Sequence, residues 1–199
     1  AFAQNHSLGD FIQSLPELTV NSVDSKLKDQ INTLAEEVRK IRFQSPPNFK
    51  EEIDFLPLGI KGYRSPLEFS DFSRMMAVSP FLTKSTLNVL IEEGNNNILV
   101  TRGESLDNFN KEFITELKSN SEVYIFSDSA EQLDVETEAE DSNSVDIDSL
   151  SGLHAKLYIL EKGWDAFIYT GSANATRSGL TGRNVEFMVG LKGKKSKVG

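Results

Sequence analysis

Residues 153–186 constrain the fold most, because short apolar runs alternate there with turn residues. One apolar run covers residues 157–160 and a second covers residues 166–169. Gly163 lies between the two runs and supplies the backbone freedom that a tight turn needs. The pattern therefore predicts a β-hairpin, followed by a third strand over residues 185–189.

Polar side chains stand at the ends of these predicted strands. His154 and Lys156 open the first strand, Ser172 and Asn174 follow the second, and Glu186 lies in the third. Residues two apart in a strand point to the same face, so His154 and Lys156 should face the same way. The hairpin and the third strand should bring all five side chains together.

This set of side chains suits a phosphodiester. Lys156 supplies a fixed positive charge, and Ser172 and Asn174 can donate hydrogen bonds to non-bridging oxygens. A neutral His154 can attack phosphorus or move a proton, and Glu186 could hold its imidazole in the correct tautomer. We predict that His154, Lys156 and Glu186 are catalytic, and that Lys156, Ser172 and Asn174 bind phosphate. No cysteine, second nearby histidine or tight Asp pair suggests a metal cage, so we expect metal-independent chemistry without a cofactor.

The same residues resemble the HxK…GSxN…NxE motif of the phospholipase D superfamily. The resemblance covers residues 153–186 at the level of the motif and residues 72–191 at the level of the fold. The family pattern has an Asp a short distance beyond the Lys, where this chain has Glu161. In the family that acid is mainly structural, so Glu161 should be tolerated.

The resemblance implies a metal-independent phosphodiesterase that acts through a phosphohistidine intermediate. In the family two HxK motifs meet: one His attacks phosphorus and the other protonates the leaving oxygen. This chain has one such motif and two histidines in all. A second HxK motif must then come from a homodimer mate or from the rest of a longer chain. The first residue, Ala1, and the end of the chain, which shows no obvious stop, suggest a fragment of a longer protein.

Three functions remain open at this point. The first choice is a nuclease that acts on DNA, as in restriction or defence. A phospholipid-cleaving or phosphatidyl-transferring enzyme is the second. A regulatory or nucleic-acid-binding lobe without catalysis is the third, because the pocket can be kept without the second histidine.

The predicted fold is an α/β class phospholipase D-like lobe, an α/β/α sandwich with a mixed, largely parallel sheet, over residues 71–199. Three more strands are predicted at 74–78, 97–101 and 121–126. A helix capped by Thr83 or Ser85 should end before Gly94, and another, capped by Ser105 or Asp107, should cover residues 109–117. Strand–helix–strand order with short links favours parallel neighbours.

Residues 1–70 are predicted to form an N-terminal helical or extended segment, which could be the end of a preceding region. Apolar residues at helical spacing predict a helix over residues 24–43, with Asn21, Ser22 and Asp24 as candidate caps. Residues 53–58 could be a strand or an extended packing arm. His6 has no partner pattern and is taken as incidental.

The net charge of −9 resides in one segment. Residues 127–150 contain nine Asp and Glu and no Lys or Arg, so the rest of the chain is neutral. One interpretation of the segment is a solvated flexible loop. The other is a mimic of a polyanion that gates the site near His154. Outside it, lysines and arginines cluster only in residues 24–43 and 192–197, and no strong basic stripe appears.

Composition excludes several other classes. The chain has no cysteine, so it has neither disulfides nor a thiolate zinc site. No apolar run reaches the length of a membrane span, and no signal-peptide pattern is present. We expect a cytoplasmic protein, and 199 residues suffice for one domain with a sizeable core.

Overall fold

Seven strands form one sheet in this computed structural model, which describes residues 2–63, 66–67, 69–126 and 153–198. The spatial order of the strands is β1-β7-β6-β5-β2-β3-β4. Their bounds are β1 Phe49–Leu58, β2 Arg74–Val78, β3 Asn97–Thr101, β4 Ser121–Ile125, β5 Leu157–Lys162, β6 Asp165–Gly171 and β7 Glu186–Lys194.

The described residues form seven α-helices. They are α1 His6–Ser14, α2 Ser25–Val38, α3 Lys84–Glu92, α4 Gly103–Leu106, α5 Lys111–Asn120, α6 Arg177–Leu180 and α7 Lys195–Val198. Of these, α3, α4 and α5 connect the parallel strands. Helices α3 and α5 lie between β2, β3 and β4 in the chain and contact each other. Their buried residues Leu87 and Leu117 share the hydrophobic core with Met188 of β7.

The sheet is mixed, as predicted, but the prediction of a largely parallel sheet is wrong. Only β2–β3 and β3–β4 are parallel, whereas the other four pairings of the described strands are antiparallel. The reason is local. β5 and β6 are joined through a two-residue turn at Gly163 and Trp164, and a parallel pair would need a crossover of a dozen or more residues. The predicted hairpin of β5 and β6 is thus confirmed. β7 also pairs with β6 in the antiparallel direction.

Helices contact both faces of the sheet at β7. Met188 is fully buried in the core under α3 and α5. Phe187 is its neighbour in the strand and therefore points to the opposite face, where its ring lies 4.7 Å from that of Phe11 in α1. Phe55 of β1 stacks on the same ring. The N-terminal helices thus support the start of β7, the strand that carries Glu186.

The predicted N-terminal helix exists but is shorter than residues 24–43. It spans Ser25–Val38, and the Asp24 side chain accepts a hydrogen bond from the Leu27 N–H at 2.9 Å, which confirms Asp24 as the cap. The following segment forms β1, an edge strand antiparallel to β7. An edge position tolerates Pro57, which has no N–H to donate. The division of the chain at residue 70 stays a prediction, although β1 belongs to the common sheet.

The core helices match the prediction in one case and differ in the other. Thr83 and Thr86 form a capping box at the start of α3, which ends at Glu92 before Gly94, as predicted. The helix predicted over residues 109–117 is wrong at its start. Asn110 caps α5, because its side chain accepts from the Phe113 N–H at 3.0 Å, and neither Ser105 nor Asp107 caps it. The acidic segment 127–150 lies outside the described residues, so both interpretations of it stay predictions.

Candidate active site

The predicted site residues lie along one edge of the sheet, the edge that is formed by strand ends and not by an outer strand. The register pairs Val78 with Leu157, Leu157 with Thr170, and Gly171 with Met188. The end of β2, the start of β5, the end of β6 and the start of β7 therefore meet at this edge. The chain enters β5 from His154 and Lys156 and leaves β6 toward Ser172 and Asn174, while Glu186 is the first residue of β7.

His154 and Lys156 lie just before β5 rather than inside it, so strand alternation does not set their directions. His154 is exposed, and its imidazole has no hydrogen bond to any residue that the structure describes. Lys156 is half-buried, and its Nζ donates to the backbone oxygen of His154 at 2.6 Å. The Lys156 carbonyl in turn accepts from Thr170 Oγ1 at 3.1 Å, which ties this segment to β6.

Ser172 and Glu186 form a direct pair across the β6–β7 boundary. Ser172 Oγ donates to the Glu186 carboxylate and accepts from the Phe187 N–H at 2.9 Å. Asn184 Nδ2 also donates to Glu186, at 3.4 Å. The carboxylate therefore holds the Ser172 hydroxyl. In the described part of the chain it makes no hydrogen bond to His154, so its role in orienting the imidazole stays a prediction.

Gly171 is what allows β6 and β7 to approach so closely beside Ser172. A Cβ at this position would lie 2.1 Å from the Phe187 carbonyl oxygen and 2.8 Å from Met188 Cα. Backbone atoms cannot move away as a flexible side chain could, so only glycine fits without a shift of the strands.

We expect Gly171→Ala to destabilise the protein by about 3 kcal/mol, because the strands must separate to admit the methyl group. Urea denaturation measures the change. Gly163→Ala is the matched control: its φ of 58° imposes a conformational cost, but nothing lies within 4 Å of the new methyl. That variant should lose only about 1 kcal/mol. Equal losses in the two variants would contradict the role given to the close approach.

Asn174 is placed by the loop after β6 and is only partly exposed. Its backbone oxygen accepts from the Thr176 N–H at 2.7 Å. Its side-chain Oδ1 is buried and has no hydrogen-bond partner in the described residues. A buried polar atom without a partner is uncommon, and such atoms are enriched where a protein meets a ligand or changes state. Oδ1 can only accept a hydrogen bond, so any group that completes it has to be a donor.

A buried polar cluster that the sequence did not predict holds this loop. The Tyr158 hydroxyl, fully buried, donates to the Ala173 carbonyl at 2.9 Å. Ser79 Oγ accepts from the Ala175 N–H at 2.9 Å, and the Thr83 N–H donates to the Ala175 oxygen at 3.0 Å. Burial is the main cause that raises the pKa of Tyr158. The negative charge of Glu186 also raises this pKa, whereas a hydrogen bond with Ser79 lowers it. Tyr158 therefore remains a protonated donor.

Tyr158→Phe should cost about 1–3 kcal/mol in the free energy of unfolding, because the buried Ala173 carbonyl loses its partner. Urea denaturation of the two proteins gives the difference. Tyr124→Phe is the control, since its hydroxyl bonds Glu122 at an exposed position; we expect a change of about 0.5 kcal/mol or less there. A stability loss at Tyr158 no larger than at Tyr124 would show that the loop does not depend on this bond.

Glu161 and Arg102 are two further charged residues near the strands of the site. Glu161 is near the far end of β5 from His154 and pairs with Lys195, an arrangement that suits a structural acid. Arg102 follows β3 at the site edge, and its guanidinium lies 6.0 Å from the centre of the Phe81 ring. His6, the other histidine, is the first residue of α1.

Comparison with known proteins gives little beyond this geometry. No protein-family model and no curated protein matches the chain. Among solved structures the chain is similar to NucT from Helicobacter pylori, with 16% identity over 59% of this chain and 67% of that chain, and a TM-score of 0.36. At that TM-score the match is too loose to assign a family, and the fold is described by its own topology: an α/β protein with an open mixed sheet.

Two searches of the described residues complete the picture of the site. Among them, no three or more His, Asp or Glu side chains are grouped so as to hold a metal ion. None of their helices has the length and apolar character needed to cross a bilayer. Metal independence and a cytoplasmic location stay predictions.

Proposed function

We propose that this chain is the nucleophile-bearing lobe of a metal-independent phosphodiesterase of the phospholipase D type, and that its substrate is DNA. The observation that supports the proposal is that His154, Lys156, Ser172 and Glu186 stand at neighbouring strand ends on one edge of the sheet, as the register of β5, β6 and β7 requires. An imidazole can attack phosphorus, and an ammonium group can stabilise the negative charge that develops on the phosphoryl oxygens.

The reaction proceeds in two steps. An unprotonated ring nitrogen of His154 forms a bond to phosphorus while the bond from phosphorus to the leaving oxygen breaks. The leaving oxygen takes a proton from an acid outside this lobe. In the second step water attacks phosphorus, and the bond from phosphorus to His154 breaks. The acid that gave up its proton in the first step now takes a proton from this water. Two easier steps replace one difficult step.

The remaining site residues act on the charge of the phosphoryl group. Lys156 leaves the backbone oxygen of His154 and donates to a non-bridging oxygen, and the Asn174 carboxamide donates to the same group through Nδ2. Ser172 Oγ donates its one proton to Glu186, so it must turn from that carboxylate to donate to a phosphoryl oxygen.

The general acid is a histidine of a second HxK lobe, supplied by a homodimer mate or by another lobe of a longer chain. His6 does not serve, because it lies in α1, which packs on β1, and β7 and β6 separate β1 from β5. A twofold axis that passes near His154 would place two copies of this edge face to face.

Hydrolysis in EDTA tests the proposed function. The intact protein is incubated with single-stranded DNA, duplex DNA and phospholipid vesicles, each in the presence of the chelator. We expect cleavage of DNA and no release of phospholipid headgroup. Vesicle hydrolysis without DNA cleavage would assign the lobe to phospholipids, and no hydrolysis of either substrate would leave a binding lobe.

A further inference from the structure

The turn between β5 and β6 exposes the chain's single tryptophan at the end of the sheet opposite the candidate active site. Trp164 is 88% exposed. The Lys195 N–H donates to the Trp164 carbonyl at 3.0 Å, so the backbone of the turn is held in place while the indole faces solvent. An aromatic ring that is this exposed does not contribute to the hydrophobic core. Its large apolar face is open to contact with another molecule.

Four lysines lie in the strand ends next to this turn or directly after them, together with two acids. Asp165 accepts from Lys192 Nζ at 3.0 Å and from Lys194 Nζ at 2.8 Å, so one carboxylate serves two ammonium groups. Hydrogen bonds from both lysines lower the pKa of Asp165 to about 2. Glu161 pairs with Lys195, and Lys162 adds a further positive charge.

Two of these lysines are also held beside an aromatic ring. Lys192 Nζ lies 4.6 Å and Lys162 Nζ 5.7 Å from the centre of the Phe167 ring. A cation–π contact restrains a lysine without neutralising its charge. The tip formed by residues 162–165 and 192–195, called the Trp164 tip below, thus combines one exposed ring with ordered positive charge.

We infer that the Trp164 tip binds single-stranded nucleic acid, with one base stacked on the indole and the lysines against the adjacent phosphates. A positive surface with an aromatic platform is how proteins bind single strands without reading sequence. A duplex offers its base faces only at its ends, because the other bases are already stacked. A membrane-inserting surface would need several apolar side chains around the indole, whereas the neighbours of Trp164 here are Lys194, Lys195 and Asp165.

The tip and the site lie at opposite ends of β6, about 20 Å apart along the strand. A single strand bound at the tip would have to span this distance to reach the site. The inference rests on the proposed function in one respect: it takes the bound strand to be the substrate of that site.

The single tryptophan supplies a direct test. Oligothymidylate is titrated into the intact His154→Ala protein in EDTA, so that no cleavage occurs, and indole fluorescence is recorded. We expect saturable quenching that weakens as salt is raised, because phosphate contacts release counterions. A hairpin duplex of matched length should quench much less. No quenching by oligothymidylate, or equal quenching by the duplex, would overturn the inference.

Variants locate the contact. Binding of a dye-labelled oligothymidylate should weaken about tenfold in Trp164→Ala, the loss expected for one stacked base. Lys194→Gln should reduce the dependence of log affinity on log salt by about 0.7, and Lys118→Gln, an exposed lysine on α5, should leave it unchanged. Unaltered affinity in Trp164→Ala with an unchanged melting temperature would place the binding elsewhere. A blue shift with phosphatidylserine vesicles, without quenching by DNA, would make the tip a membrane contact and refute the inference.

A small substrate separates this inference from the proposed function. Hydrolysis of bis(p-nitrophenyl) phosphate needs the site but not the tip, so Trp164→Ala should retain it in full. Quenching by oligothymidylate in a protein that hydrolyses nothing would support the tip and refute the proposed function. Hydrolysis without quenching would refute the tip alone.

Discussion

Replacement of His154 by alanine is expected to lower the rate of phosphodiester hydrolysis by about 10⁴-fold or more, because the variant has no nucleophile to attack phosphorus. Stability should change by no more than about 0.5 kcal/mol, because the imidazole is exposed and has no hydrogen bond within the described residues. Steady-state hydrolysis of bis(p-nitrophenyl) phosphate in EDTA, together with thermal denaturation, measures both quantities.

His6→Ala is the matched control for this prediction. It removes the other histidine of the chain, at the start of α1. We expect unchanged hydrolysis, since His6 lies on a helix that supports β1 and β7 rather than at the edge where β5 begins. If His154→Ala kept full activity, or if His6→Ala lost as much, the assignment of the nucleophile would be wrong.

Lys156→Gln should have the second largest effect, a fall in kcat/KM of about 10²–10³-fold, because one fixed positive charge no longer meets the developing negative charge. Two hydrogen bonds place Lys156 at the site. Its backbone carbonyl accepts from Thr170 Oγ1, and its Nζ donates to the backbone oxygen of His154 at 2.6 Å. Kinetics on bis(p-nitrophenyl) phosphate give the ratio for the variant and the wild type.

Lys118→Gln removes an equal charge from an exposed position on α5, so it corrects for any general effect of net charge. It should retain full kcat/KM. A loss in Lys156→Gln that disappears at saturating substrate would mean that the lysine only binds the ground state, and it would contradict a role in the chemical step.

The sequence predicted the antiparallel part of the sheet because its signals are local. Gly163 marks a turn between two apolar runs, and a two-residue turn leaves one way for the strands to pair. Once β5 and β6 pair, His154 and Ser172 must lie at the same edge. Asp24 and Thr83 were likewise predicted from the few residues that follow them, since a cap bonds its own first turn.

The contacts that depend on distant strands were not predictable in the same way. The bond from Ser172 to Glu186 requires the register of β6 and β7, whose connection includes α6 and carries no turn pattern that fixes it. Tyr158 was taken as one member of an apolar run, and nothing nearby in the sequence shows that its hydroxyl reaches Ala173. The strand–helix–strand pattern of β2, β3 and β4 does predict parallel pairing, and it holds for those three strands. It does not extend to the rest of the sheet, which is built on the hairpin.

The phosphohistidine itself is the most direct test of the central claim. The intact protein is mixed with single-stranded DNA in EDTA, quenched in alkaline detergent during turnover, and digested for mass spectrometry. The account predicts a nucleotidyl adduct on the peptide that contains His154, stable to alkali and lost in acid. An adduct on Ser172, or continued hydrolysis with no adduct on His154, would contradict it.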